Sequence, residues 1–354
     1  MNIPHVRLSN QHLTSQHFDS PEDVVSWFGA VQAQDFAGAK WALSQRCKNA
    51  TDASIEQAFN EGKILRTHIM RPTWHFVTPS DIRWLLALTS PRVKRFNGYY
   101  YRQTGLDKSI FEKSNLVIKQ ALDGGKALTR SELKVYLEEA KIPTLNLGLS
   151  YTIMQAELDG VIASGPRRGK QFTYMLLDER VPQSKHISNE QALAELTKRY
   201  FQSHGPSLAK DFSWWSGLTL SDARRGIDLL GSKITKEQRE DKSYWFFETA
   251  VKTKSDDAFL VPGFDEYFIA YTDRSDILDK KYAKQLNQGG GMVNGAVVVM
   301  GKMVGGWKRK FKGKQVMLRV RLFEKISDAQ QKSLEQQAKR YGIFLNMPLV
   351  VEIG

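Results

Sequence analysis

The pattern that most restricts the fold lies in the middle of the chain, where one short plan can be followed from end to end. Thr129-Arg130-Ser131-Glu132 reads as a capping box, after which Leu133, Tyr136 and Leu137 fall on one helical face. A turn at Lys141-Ile142-Pro143 leads to a second helix with Leu149, Ile153, Ala156 and Leu158 on its apolar face, closed by Asp159-Gly160. Strand residues Val161-Ile162-Ala163-Ser164 follow, then a basic loop containing Arg167 and Arg168, then Phe172-Thr173-Tyr174-Met175-Leu176-Leu177. Helix, helix and a two-stranded wing with a basic tip is the plan of a winged helix, a scaffold that places one helix in a DNA groove.

The plan repeats. Ser20-Pro21-Glu22-Asp23 starts a helix with proline at its first position, and Val24, Phe28 and Val31 continue it at helical spacing. A second helix is expected over 53–60 and a wing over 64–77. A third copy is expected over 189–261, with helices at 207–215 and 221–230 and a strand at 244–249. The expected fold is therefore α+β: three tandem winged-helix units (1–105, 106–183 and 184–260) and a β-rich C-terminal domain (261–354) bearing a basic hairpin. The polar stretch 178–189 is the clearest linker. A length of 354 residues accommodates these units.

Charge gives the partner. Lys plus Arg number 51 against 38 for Asp plus Glu, a net of +13, and a protein this basic meets a polyanion. From 280 to 323 there are eleven Lys or Arg and no acid. Within that stretch Gly289-Gly290-Gly291 precedes a β run at 296–300. A Gly301-Lys302 turn leads to a second run ending in Trp307, continued by Lys308-Arg309-Lys310-Phe311-Lys312. Two such runs joined by a short glycine turn read as a hairpin, whose basic residues suit phosphates. Lys302, Lys308, Arg309, Lys310 and Lys312 are the candidate contacts, with Trp307 expected to be buried. A second basic stretch, 66–102, holds seven Lys or Arg against Asp81 alone, with aromatic residues interleaved.

Several chemistries are excluded. Cys47 is the only cysteine, so there is no disulfide and no multi-thiolate zinc site. Histidines are scattered without metal-ligand spacing, and no phosphate loop or dinucleotide fingerprint occurs. The acids of Asp256-Asp257, Asp265-Glu266 and Asp273 read as loop turns and ion pairs. No signal-peptide pattern or apolar span occurs, which predicts no membrane contact and a reducing, cytoplasmic setting. No cofactor is expected.

What remains unusual is Val31-Gln32-Ala33-Gln34-Asp35 at the end of the first strong helix. On a continuing helix the two carboxamides diverge, whereas they converge where the helix unwinds. Together with Gly29-Ala30 and Lys40-Trp41-Ala42-Leu43, this motif resembles the AlkZ/YcaQ-like family of winged-helix DNA glycosylases. So does the run from Leu65 to Val77, which includes Arg66, Arg71-Pro72-Thr73-Trp74 and His75. Asp211-Phe212-Ser213-Trp214-Trp215-Ser216-Gly217-Leu218, Leu260-Val261-Pro262-Gly263-Phe264-Asp265-Glu266-Tyr267 and Gly306-Trp307-Lys308-Arg309 fall in family order. The resemblance spans nearly the whole chain, although Pro72 and Trp74 in the first wing match less closely.

The resemblance implies a concave DNA-binding surface built from the three units and the β domain. It implies an active site at Gln32 and Gln34, and a hairpin over about 293–307 that approaches the minor groove. The implied activity is removal of N-alkylated purines from double-stranded DNA by a monomer, and in some members unhooking of interstrand crosslinks. Arg66, Arg71, His75, Arg167 and Arg168 join the hairpin cations as expected DNA contacts. Asp35 is expected to serve structure at the helix end. The alternatives left open are a non-catalytic winged-helix regulator and a nucleic-acid protein of other chemistry.

Overall fold

The computed structural model describes residues 1–183, 187–251, 256–289 and 292–354, and side chains outside 287–293. Gly290 and Gly291 of the glycine run, and 184–186 of the expected linker, lie outside the described residues.

An N-terminal helix α1 (Ile3–Asn10) precedes the first repeat, which runs α2 (Pro21–Phe28), β1 (Val31–Gln32), α3 (Phe36–Ser44), α4 (Asp52–Asn60), β2 (Leu65–His68) and β3 (Trp74–Val77). Its strands form an antiparallel sheet in the order β1-β3-β2. Helix α5 (Ile82–Gln103) crosses to the second repeat: α6 (Lys108–Leu122), β4 (Leu128–Thr129), α7 (Arg130–Glu139), α8 (Gly148–Leu158), β5 (Ile162–Ser164) and β6 (Thr173–Leu176). The sheet order is again first-third-second, β4-β6-β5. The capping box forms as read, with Thr129 and Glu132 bonding each other's backbone N–H groups.

A single turn α9 (Leu177–Arg180) leads to the third repeat, α10 (Asn189–His204), α11 (Ala209–Ser216), α12 (Leu220–Leu230), β7 (Thr235–Arg239) and β8 (Lys242–Phe246). Here the first strand shrinks to one bridge, Ser207 with Trp245. The order of elements is nonetheless the same in all three.

The C-terminal part is a five-stranded sheet in the order β15-β14-β13-β12-β9. Its strands are β9 (Ala258–Val261), β12 (Gly295–Val299), β13 (Lys302–Lys312), β14 (Gln315–Leu322) and β15 (Leu349–Ile353). Between β9 and β12 come the short helices α13 (Glu266–Ile269) and α14 (Ala283–Leu286) and the small pair β10 (Asn287–Gly289) and β11 (Met292–Val293). Within this sheet β14 and β15 run parallel, joined through α15 (Asp328–Leu345), as a parallel pair requires.

The cores ignore these divisions. Val24, Phe28, Trp41 and Phe76 of the first repeat share one cluster with Leu260, Val297, Trp307, Leu318, Tyr341 and Phe344. Leu8, Leu196, Phe212 and Trp215 share another with Phe259, Tyr267 and Val298. Among the described residues, the second repeat alone has a cluster of its own, around Leu133, Leu137, Ile153 and Ile162. Among the described residues no helix is long and apolar enough to cross a membrane.

Candidate functional site

Helix α2 does not run on through Val31. Gly29, at φ +81°, ends it, and the chain turns into β1. Gln32 therefore lies in β1, and Ala33 and Gln34 follow just beyond its end, in the bend that leads into α3. Gln32 pairs with His75 across the ladder, and the Ala33 N–H donates to the Trp74 carbonyl at 2.7 Å. Asp35 then stands at the N-cap of α3, at the start of the next helix.

The two glutamines differ in burial. Gln32 is 6% exposed while Gln34 is open to solvent. The side-chain oxygen of Gln32 accepts from Arg71 Nη2 at 2.6 Å, which turns its NH2 away from the arginine. Its backbone N–H donates to Glu266 Oε1 at 2.7 Å. The other oxygen of that buried carboxylate accepts from Trp215 Nε1 at 2.7 Å and lies 3.3 Å from His204 Nε2. Gln34 Oε1 accepts a long 3.4 Å bond from the Trp74 backbone N–H. Between them the Ala33 carbonyl accepts from Arg66 Nε at 3.0 Å.

The structure thus separates the expected contacts from the first wing. Arg66 is buried, with its guanidinium over the rings of Trp74 and Phe172, and burial lowers its pKa to about 10. His75 is also buried, beside Arg71, and its Nδ1–H donates to the Thr73 carbonyl at 3.0 Å. Burial, reinforced by the Arg71 charge, holds its pKa well below the ordinary histidine value. Neither side chain is on the surface, so neither is placed to meet phosphate. They hold the motif from behind because β2 and β3 turn those positions inward. Arg71 is half-buried, bound to Gln32, with the exposed Trp214 ring 5.8 Å away.

In the second wing, Arg167 is likewise occupied. Its guanidinium lies over Phe36 and Phe172 and 3.6 Å from Glu56. Arg168 is exposed but pairs with Glu132 at 2.7 Å.

The expected hairpin over 293–307 forms from Gly295 onward, and its tip is covered. Strands β12 and β13 pair, and Met300 and Gly301, at φ +50° and +79°, make the turn. That tip packs on Pro4, which leaves no room for a Cβ at Gly301. Lys302, beside it, is exposed and donates to the Asp276 carbonyl at 2.6 Å. Trp307 is buried as expected, with Nε1 donating to the Val261 carbonyl at 2.8 Å.

The open basic hairpin is the next one, β13 with β14, turning at Gly313. Lys308, Lys310 and Lys312 alternate along its exposed face. Arg309 points the other way, 3.2 Å from Asp35 and 3.0 Å from the Tyr341 hydroxyl. Lys302 stands ten residues along β13 from Lys312, roughly 34 Å away in an extended strand, and does not belong to this group.

Sequence reasoning missed Glu266 as a support of Gln32 and Arg309 as the partner of Asp35. The signal for Glu266 was present, since Asp265-Glu266 lies in one of the landmark runs. Asp265 itself forms a bidentate buried pair with Arg46, both bonds 2.9 Å. The Asp35–Arg309 pair joins residues far apart in the chain and has no local signal.

The family profile for AlkZ-like DNA glycosylases matches residues 25–344, and the chain belongs to that family. It is accordingly a DNA glycosylase, an enzyme that cuts N-glycosidic bonds in DNA. One relative is the interstrand DNA cross-link repair glycosylase of Streptomyces sahachiroi, 23% identical over 318 residues and covering 85% of each chain. The solved structure of the Streptomyces sahachiroi DNA glycosylase AlkZ superposes with a TM-score of 0.83 at 22% identity, over 100% of this chain and 98% of that one. At that identity the likeness supports the α+β fold.

Proposed function

We propose that the enzyme is a monofunctional, monomeric glycosylase that releases N-alkylated, cationic purines from duplex DNA, with Gln32 and Gln34 as the positioning groups. The observation that carries this is the clamp on Gln32: Arg71 at its side-chain oxygen and Glu266 at its backbone N–H, with Gln34 open to solvent two residues on. An amide cannot hold a proton near neutral pH, so neither glutamine is a general base. Orientation of a water and of the extruded nucleotide is what a fixed carboxamide at Gln32 and an open one at Gln34 supply.

The substrate makes that sufficient. An N3- or N7-alkylated purine is cationic. Cleavage of the bond from C1′ sends its electron pair to the base, which leaves neutral. Water then adds to the oxocarbenium-like C1′, giving the abasic sugar and releasing one proton to solvent. The buried Glu266 carboxylate behind Gln32 contributes negative potential favourable to that cation. No lysine nucleophile is invoked, so strand cleavage does not accompany base release.

The repeated order of helices and strands supports three winged-helix units, at 1–105, 106–183 and 184–260, followed by the C-terminal domain. In this reading Lys308, Lys310 and Lys312 track phosphates, while Arg168 and Lys302 stand at the margins. The S. sahachiroi relative is named for interstrand crosslinks, and crosslinked purines are a second substrate of the same cationic kind. The test is release of free base from methylated duplex DNA, followed by alkali cleavage at the abasic site. No release by the wild-type protein from any N-alkylated duplex would end this reading.

A further inference from the structure

The C-terminal half of α5 presents an aromatic and basic face to solvent. Arg92, Arg95, Phe96, Tyr99, Arg102 and Gln103 recur at intervals of three and four and are exposed. Phe96 is 66% exposed and Tyr99 57%. No Asp or Glu occurs from 82 to 106. The opposite side of the helix is fixed to α8, where Tyr101 donates to Gln155 at 2.9 Å. Tyr100 stacks on Tyr151 with centroids 5.5 Å apart, and Tyr99 meets Tyr100 edge-on at 5.4 Å. The Tyr99 ring is therefore braced. A single exposed aromatic needs no explanation, but neighbouring rings set among arginines, on a helix that carries no acid of its own, form a surface for a polyanion that has flat apolar parts.

This face adjoins the site. Arg92 Nε donates to the Gly217 carbonyl at 3.5 Å, and Gly217 lies against Met70 and Arg71, the arginine that holds Gln32. From Arg92 to Arg102 the helix then extends about 15 Å from that rim.

We propose that this face of α5 binds unpaired DNA nucleotides adjoining the lesion, with Arg95 and Arg102 on phosphates and Phe96 and Tyr99 stacked on bases. The rings decide for single-stranded over duplex DNA, because in a duplex each base face is covered by its neighbours and only edges are offered. One helical turn separates Phe96 from Tyr99, about 5–6 Å between Cβ atoms, which suits successive bases. The arginines and the absence of acids decide for nucleic acid over a protein partner. The proposal rests on the enzyme's action on DNA and gives it a preference for lesions beside gaps, forks or bubbles.

The test uses the intact protein and fluorescence anisotropy on a paired duplex, the same duplex with a single-stranded overhang, and a single strand. Wild type should bind the overhang more tightly than the blunt duplex. The Phe96→Ala/Tyr99→Ala pair should lose that preference, by roughly tenfold in affinity per ring. Phe96→Leu/Tyr99→Leu keeps apolar bulk without a π face and should lose it too, which covers the case of an alanine pair that fails to fold. Arg95→Gln and Arg102→Gln should each lower the single-strand salt slope by about 0.7. Equal losses on duplex and overhang would make this a duplex surface and overturn the proposal, as would unchanged binding to both or full retention by the leucine pair. Failure of the glycosylase reading would appear separately, as no base release by the wild-type protein.

Discussion

Arg71 Nη2 lies 2.6 Å from the side-chain oxygen of Gln32, and this contact fixes which end of the amide is turned outward. Removing the arginine leaves the glutamine in place but free to flip. Arg71→Met should therefore slow base release by about 10- to 100-fold, the range expected for loss of alignment at a reacting centre. Single-turnover kinetics on methylated duplex should show the loss in the chemical step, with duplex affinity changed far less. A fall in affinity with an unchanged single-turnover rate would instead make Arg71 a phosphate contact.

The two glutamines should differ when mutated. Gln34 is exposed and its one hydrogen bond is long. Gln34→Ala should abolish most excision while leaving the melting midpoint where it was. Gln32→Ala should lower both, because it leaves the half-buried Arg71 without its acceptor, at a cost of about 1–3 kcal/mol. Retained excision rates in both single variants would refute the assignment.

The phosphate contact should map to alternate residues of β13. Replacing Lys308, Lys310 and Lys312 with glutamine should flatten the plot of log affinity against log salt by about 0.9 per lost contact, up to roughly 2.7 for three. Damaged and undamaged duplex should weaken together. Arg309→Gln should behave otherwise, lowering the melting midpoint through loss of its bonds to Asp35 and Tyr341 with little change in slope. The reverse pattern would mean that the hairpin turns its other face to DNA.

Acid should destabilise the fold through His75. Its pKa is depressed in the folded state by burial and by Arg71, so below about 6.5 the unfolded chain binds more protons than the native one. The stability from its neutral form is fully present above that pH and is lost as pH falls, by about 1.4 kcal/mol per unit until the folded-state pKa is reached. Urea midpoints at pH 7.5 and 5.5 should differ less for His75→Gln than for wild type. An identical difference would place the acid sensitivity elsewhere.

Much of this architecture was legible where local signals are strong. From α7 to β6 the second repeat could be read element by element, because its capping box, its Pro and Gly breaks and its short β runs all act within a few residues, whereas α6 and β4 went unread. The motif was found but its conformation was not. Val31 sits at helical spacing from Val24 and Phe28, yet it fills the same core from a strand because Gly29 breaks the helix. Helix α3 escaped notice, since Asp35 makes no side-chain cap bond and Ala37-Gly38-Ala39 gives no periodicity. The strands around Gly301 were read correctly, but nothing near that glycine reveals that Pro4 covers it. Arg66 and His75 looked like surface groups because basic residues usually are. Which way a strand turns such residues depends on what lies behind it, and that is set by distant parts of the chain.

The pair between Arg46 and Asp265 links the turn after α3 to the start of α13 through two 2.9 Å bonds, with both residues buried. Severing the chain between these residues would strand a buried guanidinium on one piece and a carboxylate on the other, a loss of about 3–5 kcal/mol from a single contact. Although its repeats look like cassettes, the protein is in this respect an arch closed by a keystone. The N-terminal unit, expressed alone, should be insoluble or unfolded, and shuffling it between relatives should succeed only when the Pro262–Tyr267 segment travels with it.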